Sequence, residues 1–394
     1  MTANDPIQTT VHLTEKFRCN LCGNIFEHLP DDIKNKEKFD EKVLAHIVMH
    51  KCFYGVAFGR DAASGGLSAS VISELFKDAD DLLFPIFEIV AKTLISDDVI
   101  AFDDTKIKIQ PEEKGGSKSA WASCFVSRHG VVYILDRRHA GKCFEDLLKK
   151  RPKYLKPPVA LSDALPAYEG YKKDTIDAHC LTHARRRFKV AEEEGPEFCQ
   201  AVVDLVGEIY DIDIEAKKVD DIERMKLHQE VSAPIFEQLI EEMEGSLETK
   251  RFLPNSDLGR AAKYIIEHQD KLRVFMNVPG VPLDTNHVER KIKCPIRIRK
   301  QAPIFKTEKG ALRTGRLLSL VETAIHIGVH PGRYIEWAIL GSKNKKTAIE
   351  LTPWAFKRDL EKEQWSLTGN FEREDSKVQR PESQTPMATN SISP

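Results

Sequence analysis

Between residues 68 and 96 apolar side chains recur at three- and four-residue steps (Val71, Leu75, Leu82, Ile86, Ile89), the period of amphipathic helices. At DDVIAFDDTKIKI the period falls to two and the residues become β-branched and aromatic, which predicts a strand with Val99, Ala101 and Asp103 on one face. GGSKS supplies a turn, and WASCFVSRHGVVYILDRR reads as two more strands joined at Arg128, His129 and Gly130. A short helix, CFEDLLKK, precedes the apolar run PPVALSD, a buried strand ending at Asp163, and the pattern is then mostly helical through Tyr334. Three strands, a helix, a strand and further helices predict an α/β fold: a mixed sheet flanked by helices. Residues 1–16 read as a loose tail, and the polar, Pro/Ser-rich stretch after Trp365 as disordered.

Composition narrows this picture without deciding it. The 394 residues have room for two or three domains, and a net charge of −2 excludes a uniformly basic nucleic-acid coat protein. Charge is segregated, however. Glu192 to Glu248 is acidic, whereas Glu289 to Arg316 holds ten Lys or Arg and one other acid, Glu308. A basic run headed by one carboxylate suits a polyanion beside a carboxylate-held cation, and equally a solvated basic face. No apolar run reaches the length of a membrane span, and MTANDPIQTT is no signal peptide. Apart from Cys19 and Cys22 the eight cysteines are scattered, which predicts reduced thiols and a cytoplasmic protein.

Two constellations carry chemistry. Within a compact unit at residues 17–55, Cys19 and Cys22 have zinc-knuckle spacing, and His46 and His50 lie one helical turn apart. Structural Zn²⁺ on these four is the expectation, with His28 and Cys52 as substitute ligands and purely structural histidines as the bland reading. Asp103, Asp163 and Glu289 are the second set: two acids on strands and one on a helix can meet at a sheet's edge and hold two Mg²⁺ or Mn²⁺ ions, roughly 3.5–4 Å apart in two-metal enzymes. The alternative is that the aspartates cap a turn and a helix while Glu289 is a surface residue.

Several motifs together resemble the transposases of insertion-sequence family sixty-six, in the D-D-E superfamily with a ribonuclease-H-like core. They are Asp103-Asp104-Thr105, Asp163 followed by AYEGY, Cys180-x-x-His183-Ala184-Arg185-Arg186-x-Phe188, LPNSDLG ending at Gly259, and DTNHVER with Thr285 in place of an Asn. RIRKQ departs from the family's corresponding segment, and the usual long helical DNA-binding region is not evident before the zinc unit. The resemblance implies metal-dependent cleavage of transposon ends, then attack of the freed 3′ hydroxyl on target DNA. It makes Asp103, Asp163 and Glu289 the catalytic acids and a homo-oligomer on DNA the expected assembly, with accessory proteins of the same element as further partners. Arg185, Arg186, Arg290, Arg297 and Lys300 are the expected phosphate contacts. The implied layout is a helical linker at 56–96, a catalytic domain at 97–340 with a helical insertion at about 188–272, and a C-terminal extension at 341–365. Rival readings are a nuclease without strand transfer and a catalytically silent, transposase-derived DNA-binding protein.

Overall fold

The computed structural model describes residues 16–27, 38–113, 116, 118–165, 168 and 174–362. The tail at 1–15, His28, most of AYEGY and the stretch after Trp365 lie outside the described residues. A small hairpin pairs β1 (Lys16–Arg18) with β2 (Ile25–Glu27). The main sheet consists of β3 (Val99–Lys108), β4 (Ser119–Val126), β5 (Val131–Asp136), β6 (Val159–Ser162) and β7 (Ile176–His179), in the order β5-β4-β3-β6-β7. β3, β4 and β5 are antiparallel neighbours, and β6 and β7 run parallel to β3. The switch follows from the connections. β4 and β5 are joined by a tight turn in which Ser127 N–H donates to the Gly130 carbonyl at 3.0 Å. Reaching β6 in parallel requires a crossover, which contains helix α4 (Ala140–Leu148).

Ahead of the sheet come α1 (Glu41–Val48), a π-helical turn (Met49–Tyr54), α2 (Phe58–Gly65) and α3 (Ala69–Ser96). After it come α5 (Leu181–Val190), α6 (Pro196–Ala216), α7 (Asp221–Leu227), α8 (Ala233–Glu248) and α9 (Asp257–Leu272). The chain continues through α10 (Asn286–Gln301), α11 (Glu308–His326) and α12 (Pro331–Lys343). The mixed sheet flanked by helices is as the hydrophobic pattern predicts. Two details differ from it. The apolar stretch before the sheet forms one 28-residue helix that runs through Pro85. β7 is not evident in the pattern, because it has only four residues and carries Asp177 and His179 among them.

α11 covers the β5 edge of the sheet. Thr323 Oγ1 accepts from Val131 N–H at 3.1 Å and donates to the Val131 carbonyl at 3.0 Å, while Ser319 Oγ accepts from Tyr133 N–H at 2.8 Å. Gly315 allows this approach, since a Cβ there would stand 2.9 Å from the Tyr133 carbonyl oxygen. α11 is also tied to α3 through buried Asp80, which pairs with Arg316 and lies 3.7 Å from Arg313. Among the described residues, no helix is long and apolar enough to cross a membrane.

Candidate active site

Strand alternation sends Asp103 and Asp104 to opposite faces of β3. Asp104 Oδ2 accepts from the Ala140 amide at 3.0 Å and stands 3.2 Å from His139 Nδ1. It therefore caps α4, whose own N-cap residue, His139, makes no side-chain cap. Asp104→Ala is expected to cost about 1 kcal/mol in thermal or denaturant unfolding, the usual cost of a lost N-cap, and Asp104→Asn less because the amide oxygen still accepts.

Asp103 faces the other way. β3 and β6 pair in parallel with Ala101 opposite Leu161, so the same register continued two residues sets Asp103 level with Asp163, on the same face. Burial, with the charges of Asp163 and Asp104, pushes the Asp103 carboxyl up to about 7 against the opposing hydrogen bond from the Asp104 amide and a smaller contribution from His183. Buried Tyr168 lies close to all three aspartates, and burial first, then their charges, push its phenol well above the usual range. It is a neutral hydroxyl at physiological pH.

The third acid is delivered by a junction between two segments about a hundred residues apart. Cys180 Sγ accepts from Thr285 N–H at 3.3 Å, and the Leu283 carbonyl accepts from Leu181 N–H at 2.9 Å. Asp284 Oδ2 accepts from Thr182 Oγ1 at 3.2 Å, Tyr210 OH at 3.0 Å and Asn286 Nδ2 at 2.6 Å. These bonds set the N-termini of α5 and α10 side by side. Because Thr285 contributes a backbone amide here, the Asn-to-Thr departure leaves that hydrogen bond in place. Glu289 lies in the first turn of α10, where the helix dipole favours an anion. Its Oε1 is 3.7 Å from His183 Nε2 and 3.6 Å from Arg186 Nη2. His183 stands beside Glu289, and its charge also acts weakly on Asp103. Sequence reasoning misses this role, because Cys180 and His183 form an isolated pair along the chain.

A cavity of about 450 Å³ opens beside this junction, lined by Asp163, His183, Arg186, Arg187, Arg260 and Tyr264 among others. The LPNSDLG segment contributes Asp257 to it and leads into α9, which supplies Arg260, Ala261 and Tyr264. Ser256 Oγ accepts from Gly259 N–H at 3.0 Å, and the Glu194 carboxylate accepts from the Asp257 and Leu258 amides at 3.1 and 2.8 Å, so the start of α9 is doubly capped. The Arg187 guanidinium stacks over the Tyr264 ring at 4.0 Å. Three arginines, Arg186, Arg187 and Arg260, and two acids, Asp163 and Asp257, line the cavity, with Arg260 paired to Asp257 and Arg186 to Glu289.

The basic run is partly internal. Lys291 pairs with Glu322 at 2.8 Å, Arg299 donates to the Lys106 carbonyl, and Arg313 and Arg316 face Asp80. Of the five expected phosphate contacts, Arg186 is paired with Glu289, Arg185 is half-buried, and Arg297 lies over the Phe53 ring at 5.9 Å. Arg290 and Lys300 are exposed.

At the other end of the chain, Cys19 and Cys22 occupy the tip of the β1–β2 hairpin. Cys19 N–H donates to the Asn24 carbonyl at 2.8 Å, Gly23 N–H donates to the Cys19 carbonyl at 2.9 Å, and Gly23 takes φ 74°. The Cys22 and Leu21 amides hold the Cys19 thiol below its ordinary value. His46 and His50 instead gather with Asp61: one donor atom from each lies within 4.8 Å of the others. Neither cysteine belongs to that group. Cys52 is buried in the core, and desolvation pushes its thiol well up.

Comparison with known proteins gives this arrangement a family. The chain is 28% identical over 190 residues to uncharacterized protein y4jD of Sinorhizobium fredii, a match covering 46% of this chain and 36% of that one. It is 20% identical over 383 residues to uncharacterized protein y4hP of the same organism, covering 87% of this chain and 67% of the relative. A third relative, y4qI, is 28% identical over 189 residues, 34% of its length, so the chain spans about a third of two of these relatives. Residues 36–313, which contain the sheet, the cavity and the α5–α10 junction, match the family model described as "Transposase IS66 family", and the chain belongs to that family.

Proposed function

We propose that this chain is a D-D-E transposase that cuts DNA at the ends of its element and joins the freed 3′ hydroxyl to target DNA. What supports the reading most is the β3–β6 register, which, carried two residues past the Ala101–Leu161 pair, sets Asp103 level with Asp163 just beyond the end of β6. Glu289 stands beside His183, whose charge also acts on Asp103. The strand order, three antiparallel strands with two parallel ones added beside β3, supports a ribonuclease-H-like core.

The donor set fits Mg²⁺ or Mn²⁺. All three groups are hard carboxylate oxygens, and Asp103 is held partly protonated by burial and by its acidic neighbours, a penalty that a divalent cation relieves. Asp103, Asp163 and Glu289 would hold two such ions, which when bound supply activation of the attacking hydroxyl and charge neutralisation at the leaving oxygen. The protein's own groups do the rest. His183 and Arg186 orient Glu289, while Arg187 presents positive charge to a phosphate backbone entering the cavity. Joining two ends requires more than one active site, so a multimer assembled on DNA is part of the proposal.

The test is incubation of the purified protein with Mg²⁺, a pre-cut labelled element end and target plasmid. Joined product supports the transposase. Cutting without joining would favour the nuclease, and binding without either the silent DNA-binding protein. Alanine at Arg290 or Lys300, both exposed, should weaken binding alike on any sequence and reduce the slope of log affinity against log salt by about 1 for each phosphate no longer neutralised. Unchanged slopes in both variants would remove them from the DNA path.

A further inference from the structure

A second cluster of metal-ligating side chains stands outside the catalytic region. His46 is on α1, and His50 lies one turn on, inside the π-helical turn; their ring centroids are 3.8 Å apart. Asp61, only 7% exposed, comes from the first turn of α2, and its Oδ1 stands 2.8 Å from His50 Nδ1. The simplest account is a hydrogen bond tying α2 to the turn, but that account leaves His46 without a purpose. One donor atom from each imidazole and from the buried carboxylate lies within 4.8 Å of the others. Two imidazoles and a carboxylate are the donor types of a borderline transition metal, and three protein ligands leave a fourth position open. The same histidines border a cavity of about 570 Å³, with His330 and Glu336 on its opposite wall, so an ion has a route in.

We propose that His46, His50 and Asp61 bind one Zn²⁺-class ion, forming a site separate from the catalytic acids and from the Cys19–Cys22 knuckle. Its place in the fold gives it a role. The π-helical turn ends at Gly55, in the left-handed region at φ 77°, and a Cβ there would come within 3.0 Å of Arg297 Cγ on α10. The neighbouring Phe53 ring underlies the Arg297 guanidinium. An ion that joins the turn to α2 therefore braces the last turns of the helix whose first turn carries Glu289.

The probe is Co²⁺, whose visible d–d bands report tetrahedral coordination and whose near-ultraviolet charge-transfer band reports thiolate. Titrations use the full chain, stripped of metal, in a Cys19→Ser/Cys22→Ser background so that nitrogen and oxygen ligands remain at both candidate places. Tetrahedral d–d bands should appear without a charge-transfer band. His46→Gln and His50→Gln should each weaken Co²⁺ binding at least tenfold, and Asp61→Asn likewise. Circular dichroism confirms folding. If Asp61→Asn does not fold, the two histidine variants decide the matter. Equal Co²⁺ affinity in the His46→Gln/His50→Gln double variant would overturn the proposal. So would the loss of all Co²⁺ binding in the serine background, which would make the thiolates ligands of the same ion. The readout is binding rather than catalysis, so neither outcome bears on the transposase reading.

Discussion

Asp103→Asn, Asp163→Asn and Glu289→Gln should each abolish strand cleavage and strand transfer while leaving DNA binding largely intact. Metal charge supplies several kcal/mol of transition-state stabilisation, so the loss should be about a thousandfold or more, and similar for all three. Near-normal cleavage in any one of them would remove that residue from the site. The same acids set a pH dependence. Asp103 is raised in the folded protein from an ordinary 3.8 to about 7, so its protonated form contributes stability that is fully present below about 4 and is lost as pH rises to about 7. Metal-free protein should therefore lose stability across that window, and Asp103→Asn should flatten the loss. Mg²⁺ binding has the opposite sign, since it needs the ionised carboxylate: affinity should fall about tenfold per pH unit below 7, with a proton released on binding. Calorimetry in buffers of different ionisation enthalpy measures both.

Gly259→Ala should be among the most damaging single substitutions outside the acids. An added Cβ would lie 2.1 Å from the Leu253 carbonyl oxygen and 2.9 Å from the Pro254 backbone, and backbone cannot yield as a side-chain tip does. Relief requires moving the loop that caps α9, and with it Arg260 and Tyr264 on the cavity wall. The expected cost is about 3 kcal/mol, the upper end of ordinary overpacking, read as a lower midpoint in denaturant or heat. Gly207→Ala is the control. It lies inside α6 with nothing within 4 Å of its would-be Cβ, so it should stabilise by about 0.5–1 kcal/mol. Equal effects at the two glycines would mean that the loop is not held as described.

Whatever depends on near neighbours along the chain is legible in the sequence. A period-two run locates β3, apolar and β-branched runs bounded by turns locate β4 to β6, and alternation alone separates Asp103 from Asp104. β7 escapes because four residues with two polar ones carry too little pattern. The pairing of Cys180 with Thr285, and of Asp61 with the histidines, depends on how helices pack, and no spacing rule spans such gaps. The charge run misleads in part for the same reason: Lys291, Arg313 and Arg316 look like a basic face in one dimension, yet each faces an internal acid in three.

The α11 hydroxyls that occupy the β5 edge limit how copies of this chain can associate. An uncovered edge strand invites another chain to add to the sheet, and Val131 and Tyr133 have already committed their amides to Thr323 and Ser319. Copies of this chain cannot add to the sheet at those β5 amides, so any pairing strand to strand is left to the opposite edge, β7.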